Sequence, residues 1–585
     1  MGEQQFVSII RDRITSYLRC GHLKSALYWC DKLIVLTKYA PADVVLYLRC
    51  LLACGEYDRG CSFLRNSWLI GKHQLYAYLA ARCLFLARKY EEACLILDTE
   101  CNSAQLSPED KSLLDELAHE WHLPSAIHLL TGRLQEQLDN LPQAITAYKT
   151  ALIEDVYCYE ALEALTRNCL LSAQEERELL KCLPMKQQCA SDDIRKLISS
   201  LYHTSLNQFS GQNGLRLPTA YSALESCRSV QTALARRHYF SGHFAKAYQI
   251  TSQLLKQEEF YMQVMPLHIC LLVELRKTNA LFLLAHNLVD MVPDLVIAWF
   301  AVGAYYYSIE NFDAAKQFFH KCTLVSSQDG SGWLAYGHAF AAQAEHDQAM
   351  NCYLKAAKFL KGCHLPLLYV GLEYCLTNNS KLGEKFFKEA HSLSPSDPYV
   401  LHELGTLYYR QGNYSEAEQH LTQAEQLLMI QEPSGKSHTL PEQWEPLLNN
   451  LAMVYRKLKR YDTALEYHER ALALCPRNFQ TLAAIGLIHM LNSNWDTAID
   501  YLHRSLSICR DNKTVQNLLN RAMDLIAASD SDPLWPPLPH LTPRLPQLSP
   551  PKKEGGRRTM GGDNDSEIME QDSSCMDIEE VEMES

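Results

Sequence analysis

Large and small side chains recur along this chain in a fixed order. Gly303, Gly337, Gly371 and Gly405 lie 34 residues apart, and the segments around them share one pattern. Four residues before each glycine stands a large apolar residue: Trp299, Trp333, Leu367 and Leu401. Three residues after it comes an aromatic: Tyr306, Phe340, Tyr374 and Tyr408. Twelve after comes a small residue (Ala315, Ala349, Gly383, Ala417), and sixteen after a bulky one (Phe319, Tyr353, Phe387, Leu421). Apolar positions three and four apart belong on one face of a helix. The pattern therefore predicts two helices per period, with the small residues where they cross closely and the large ones filling gaps between successive pairs.

A 34-residue period with this order of types resembles the tetratricopeptide repeat. One helix hairpin cannot bury its apolar faces alone, so neighbours must stack, and at least about three units are needed. The expected fold is all-α, a superhelical solenoid of antiparallel helix pairs with a disordered C-terminal tail. Counting back from Trp299 gives Met265 and Gln231, with Ala247 at a small position. Counting forward, an irregular stretch from about Leu428 to Leu440 contains Pro433, Ser434 and Gly435. The order resumes at Leu448, Leu451, Ala452 and Tyr455, and again at Leu482 and Gly486. That makes eight units from about Gln231 to Arg510, with a last helix near Thr514–Ala527 as a cap.

The first third repeats less regularly. Ile10, Val44 and Ala77 stand about one period apart, with Ala26, Gly60 and Ala93 at the small position. A further unit spans His128–Leu152, and a break falls at Leu183-Pro184. The expected division is 1–230, degenerate helical repeats; 231–527, a regular superhelix with its cap; and 528–585, a Pro-rich then acidic tail.

Composition narrows the function. No run of about eighteen apolar residues occurs, so no membrane span is expected. Met1–Asp12 lacks the basic start and apolar stretch of a secretory leader. The 21 cysteines form no CxxC pair and no zinc spacing, so they read as small buried hydrophobes in a reducing compartment. Of the net charge of −13, ten acids lie in 563–585, so the rest is nearly balanced and nucleic acid is not an expected ligand.

Few motifs suggest chemistry. His119-Glu120-Trp121-His122 is one residue short of the helical spacing two metal-binding histidines need. Gly435-Lys436-Ser437 resembles the end of a phosphate loop, but Ile430 occupies the position of its first glycine. No nucleophile, base and oxyanion site line up, so neither enzyme activity nor a cofactor is expected. In the tail, Thr542-Pro543 and Ser549-Pro550 are phosphorylation candidates, the second with Lys552 in the pattern favoured by cyclin-dependent kinases. Each phosphate would add roughly 1.5 to 2 negative charges.

On the first helix of each unit, the residue after the large apolar position and those four and seven further on are expected to face a groove. That count selects Tyr307, His338, Leu372, His402, Tyr409, Asn449 and Arg456 as peptide-groove residues. The surface is apolar and aromatic, suited to an extended or helical peptide, with backbone bonds to Asn449 or His402. A carboxylate clamp would need Lys and Asn where this chain has Phe, Leu and His. A general peptide-binding adaptor or co-chaperone thus remains the alternative reading.

Several stretches go beyond what packing demands: Trp444-Glu445-Pro446-Leu447-Leu448-Asn449-Asn450-Leu451, Gly362-Cys363-His364-Leu365-Pro366, and Ala344-Glu345-His346-Asp347-Gln348-Ala349-Met350. With Trp299-Phe300-Ala301-Val302-Gly303 they closely resemble the cell division cycle protein 16 family of the anaphase-promoting complex. The resemblance covers about residues 8 to 510. It implies a non-catalytic scaffold of a multisubunit ubiquitin ligase that drives mitotic exit, found in nucleus and cytoplasm, with spindle or centrosome as a further location in mitosis. It also implies a homodimer through about residues 1–230, contacts with other scaffold subunits, and a very small partner whose N-terminus lies inside the superhelix, about 265–510.

Overall fold

The computed structural model describes residues 3–67, 69–99, 107–167, 169–206, 219–240, 243–431 and 440–529. Thirty α-helices run through them, with no strand among the described residues. The eight regular units are present. Their first helices are Arg228–Phe240, Met265–Glu274, Val296–Ser308, Gly330–Ala341, Leu365–Leu376, Pro398–Arg410, Glu445–Lys457 and Phe479–Leu491. Each packs on the second helix that follows it, from Phe244–Gln257 to Trp495–Ile508. Lys513–Ser529 then closes the stack, extending slightly beyond the expected cap. One boundary differs: Tyr414–Gln431 continues as helix past Leu428, where the irregular stretch was expected to begin. Ser549, Thr542 and the Gly435-Lys436-Ser437 sequence lie outside the described residues.

The glycines do what the pattern required. A Cβ at Gly303 would stand 2.6 Å from Phe319, at Gly337 2.4 Å from Tyr353, and at Gly405 2.5 Å from Leu421. The bulky partner is always the residue sixteen later. It lies across the glycine, so the two helices of a unit approach at a distance that leaves no room for a side chain.

A second periodicity lies in the turns. Arg276, Glu310, Ala344, Asn378 and Gly412, again 34 apart, all take the left-handed conformation between first and second helix. Lys459 and Ser493 repeat it after the interruption, and Gly21, Gly55 and Arg88 show the same turn in the first third. The early segment is therefore built from the same hairpins: Glu3–Arg19 with Leu23–Leu36, Pro41–Cys54 with Tyr57–Asn66, and Gln74–Leu86 with Tyr90–Leu97. His119 lies in the last turn of Pro108–Glu120, while His122 lies in the break, in the left-handed conformation just before Leu123–Gln137.

The coil also touches itself. Gln328 Nε2 donates to Asp139 at 3.2 Å, Lys358 pairs with Asp139 at 3.6 Å, and the Gly362 amide donates to the Cys169 carbonyl at 2.7 Å. Residues 139–171 thus lie against the 328–362 part of the regular array, one turn of the solenoid upon the next.

Candidate functional site

Six successive first helices each contribute one residue to a common inner wall: Tyr239, Glu274, Tyr307, His338, Tyr369 and Tyr399. Their electrostatics tie them together. Besides burial, Glu274 raises the hydroxyl pKa of Tyr239, Tyr307, Tyr369 and Tyr399. Tyr399 keeps 39% of its surface accessible, and Glu274 is exposed, yet both titrate as hemmed-in groups pushed up first by desolvation. Water reaches these side chains while protein surrounds them, which is the condition of a residue lining a concavity.

Local structure fixes the wall. The Asp397 carboxylate accepts the Tyr399 amide at 3.0 Å, capping Pro398–Arg410, and pairs with buried His364 at the start of the preceding first helix. The His338 ring meets Tyr369 edge-on at 4.5 Å, and its Nδ1 is 2.9 Å from the Tyr353 hydroxyl. Desolvation holds the His338 pKa down to about 4, so its ring is neutral at pH 7. Tyr399 packs against Trp444 at 4.3 Å. Burial alone shifts Glu274, with no basic side chain contributing. The wall offers hydroxyls, aromatic faces and one carboxyl, an environment suited to neutral or cationic groups rather than to a carboxylate.

Of the residues selected from the sequence, Tyr307 and His338 belong to this wall. Leu372 lines a small cleft further along with Cys375, Phe387, Thr406 and Arg410. His402 and Tyr409, each 4% exposed, and Asn449, 6% exposed, sit within the packing between first helices. Asn449 Nδ2 donates to Glu445 and, at 2.9 Å, to Thr481, while its Oδ1 accepts from His468 Nδ1 at 2.9 Å. Asn450 Nδ2 donates to His402 Nε2 at 2.9 Å, leaving His402 Nδ1–H to bond Glu403 at 3.0 Å. The groups expected to bond a peptide backbone are engaged with neighbouring repeats. Arg456 is half-buried, and its charge adds to the desolvation that lowers His468 to about 3.

In the first third, Tyr28, Trp29, Val35, Leu36 and Tyr39 are exposed on and just after helix Leu23–Leu36. In the same segment Arg11 grips the buried Asp43 carboxylate with two bonds of 2.7 Å, tying the first hairpin to the second. Among the described residues no group of three or more His, Cys, Asp or Glu could hold a metal ion, and no helix is long and apolar enough to cross a membrane.

Residues 398–428, 446–478 and 481–516 match the tetratricopeptide repeat, and residues 19–99 match the family described as anaphase-promoting complex, cyclosome, subunit 3. The human cell division cycle protein 16 homolog is 40% identical over 496 residues, covering 83% of this chain and 79% of that protein. This chain belongs to the cell division cycle protein 16 family. Anaphase-promoting complex subunit 6 of Arabidopsis thaliana is 32% identical, over 88% of this chain and 95% of that protein. The crystal structure of the APC/C hetero-tetramer Cut9-Hcn1 contains a chain that superposes with a TM-score of 0.71 at 28% identity, over 88% of this chain and 96% of that one.

The solenoid of this cell division cycle protein 16 relative brings together four residues that position counting missed: Tyr239, Glu274, Tyr369 and Tyr399. Tyr239 shares the register of Tyr307, two periods earlier, where the count was not carried. Glu274, Tyr369 and Tyr399 stand off it, because successive pairs rotate as the coil winds and the inward direction drifts along each helix. One local signal was available. Glu274 is the only carboxylate on the otherwise apolar helix Met265–Glu274.

Proposed function

We propose that this chain is a non-catalytic scaffold subunit of an anaphase-promoting complex, the ubiquitin ligase of mitotic progression. Its first 230 residues pair with a second copy, and its superhelix between about 265 and 510 encloses the N-terminus of a small partner subunit. The observation that carries this reading is the wall from Tyr239 to Tyr399, built residue by residue from six consecutive first helices. Its mixture of hydroxyls, ring faces and one carboxyl suits the side chains of one peptide segment.

The exposed Tyr28, Trp29 and Val35 supply an apolar face of the kind a homodimer buries. The solved relative is a hetero-tetramer of Cut9 and Hcn1, which agrees with a self-associating subunit carrying a second, different chain.

Light scattering on the purified full chain tests the dimer. The expected mass is twice that of the chain, falling to the monomer in Trp29→Asp. A wild-type monomer at micromolar concentration would refute this part of the reading.

A further inference from the structure

The seam where the coil touches itself holds a pair of thiols. Cys169, in the left-handed conformation with φ 44°, follows helix Tyr159–Arg167, and its carbonyl accepts the Gly362 amide at 2.7 Å. A Cβ at Gly362 would stand 2.0 Å from the Leu171 carbonyl oxygen and 2.8 Å from that of Cys169. Only a glycine lets the two backbones meet this closely. That approach brings Cys363, the next residue, beside Cys169, whose thiol is the largest of the influences that raise the Cys363 pKa well above its ordinary value. Cys363 is 8% exposed, while Cys169 is partly open to solvent.

We propose that Cys169 and Cys363 are a peroxide-responsive pair whose disulfide locks residues 159–182 onto the regular superhelix. The more accessible Cys169 reacts first. Its thiolate attacks one oxygen of hydrogen peroxide, the O–O bond breaks, hydroxide leaves and takes up a proton as water, and Cys169 becomes a sulfenic acid. Cys363 then gives up its proton and attacks the sulfenic sulfur. The S–S bond forms as the S–O bond breaks, and a second water departs. Two thiols are oxidised and one peroxide is reduced to two waters. A dithiol reductant reverses the step by exchange.

The order of attack follows from the site. Burial and the neighbouring thiol both hold Cys363 in its protonated form, so it suits the resolving role. The fold also contains a built-in control. Cys30 and Cys50 also neighbour each other closely enough to shift each other's pKa, but both are fully buried. Proximity is common to the two pairs; access is confined to the seam. Because the bridge would join residues remote in sequence across one turn of the coil, it would restrain the solenoid from springing open.

The test uses the reduced full-length chain, treated with a few equivalents of hydrogen peroxide, alkylated under denaturing conditions and digested without reductant. Mass spectrometry should find one peptide pair joined through Cys169 and Cys363. The pair should vanish with dithiothreitol and be missing from Cys169→Ser and Cys363→Ser, while Cys30 and Cys50 are recovered alkylated. The oxidised wild type should also melt at a higher temperature than the reduced one, with no such rise in either serine variant. Recovery of both seam cysteines as free thiols, or oxidation of Cys169 to sulfinic acid without the joined peptide, would overturn the proposal.

Discussion

The Phe387 ring lies over Gly371 so closely that a Cβ on the glycine would stand 2.5 Å from its Cε1 atom. The same relationship links Gly303 to Phe319 and Gly486 to Leu502, so it is the contact from which the repeat is built. Phe387 is fully buried and cannot swing aside without displacing Ala390 and the next unit. Gly371→Ala should therefore destabilise the chain by about 1–3 kcal/mol. Adding Phe387→Leu should recover part of that loss, because a smaller side chain vacates the crossing. Urea denaturation of the single and double variants measures the coupling, and strictly additive effects would contradict the packing assigned here.

Left-handed residues at the turns give a prediction of opposite sign. Ala344 holds φ 57° where the next two repeats have Asn378 and Gly412. A non-glycine residue in that conformation costs roughly 1 kcal/mol. Ala344→Gly should raise stability by about 0.5–1 kcal/mol, although glycine in a helix lowers it. An unchanged or lower urea midpoint would show that the turn carries no strain.

Asn449 separates two roles that the sequence alone leaves merged. Its amide joins Glu445, Thr481 and His468 across three helices. Asn449→Ala would leave the buried His468 Nδ1 without its partner, while Glu445 and Thr481 keep their bond to each other at 3.0 Å, a loss of about 1–3 kcal/mol. Thermal melting of the isolated chain should register it with no partner present. An unaltered melt, accompanied by weakened partner binding, would instead make Asn449 a peptide contact.

Buried histidines set a pH dependence. Desolvation lowers His468 to about 3 and His268 to about 4, from an ordinary 6.5. The unfolded chain therefore takes up protons near pH 6.5 that the folded chain refuses. Their contribution is fully present above pH 6.5 and fades as pH falls through the interval down to about 3 or 4. Going from pH 7 to pH 5 should cost about 2 kcal/mol for each residue. His468→Gln should flatten the dependence by close to one proton over that range. Identical slopes for wild type and variant would contradict a neutral buried His468.

The architecture was legible because it is local. The glycine-to-bulky spacing of sixteen and the period of 34 lie within one or two helices, so eight units and the capping helix could be read from the order of side chains. The inner wall was legible only in part. Tyr307 and His338 fell in the counted register, but Glu274 and Tyr399 meet only after several units have wound around the axis. His402 and Asn449 look like groove residues to a positional count, yet their partners Asn450 and Thr481 come from later units and turn them inward. The Cys169–Cys363 seam has no sequence signature, since only the pitch of the coil brings those loops together.

The central claim is that this chain assembles through its inner wall with the subunits of an anaphase-promoting complex. Affinity purification of the tagged full chain from its own dividing cells, followed by mass spectrometry, tests it most directly. The wild type should recover cullin-like and RING subunits together with one very small protein. A Tyr307→Ala, Tyr369→Ala double variant should lose the small protein while retaining self-association. Recovery of chaperones alone, or of a folded chain with no ligase subunit, would contradict the account.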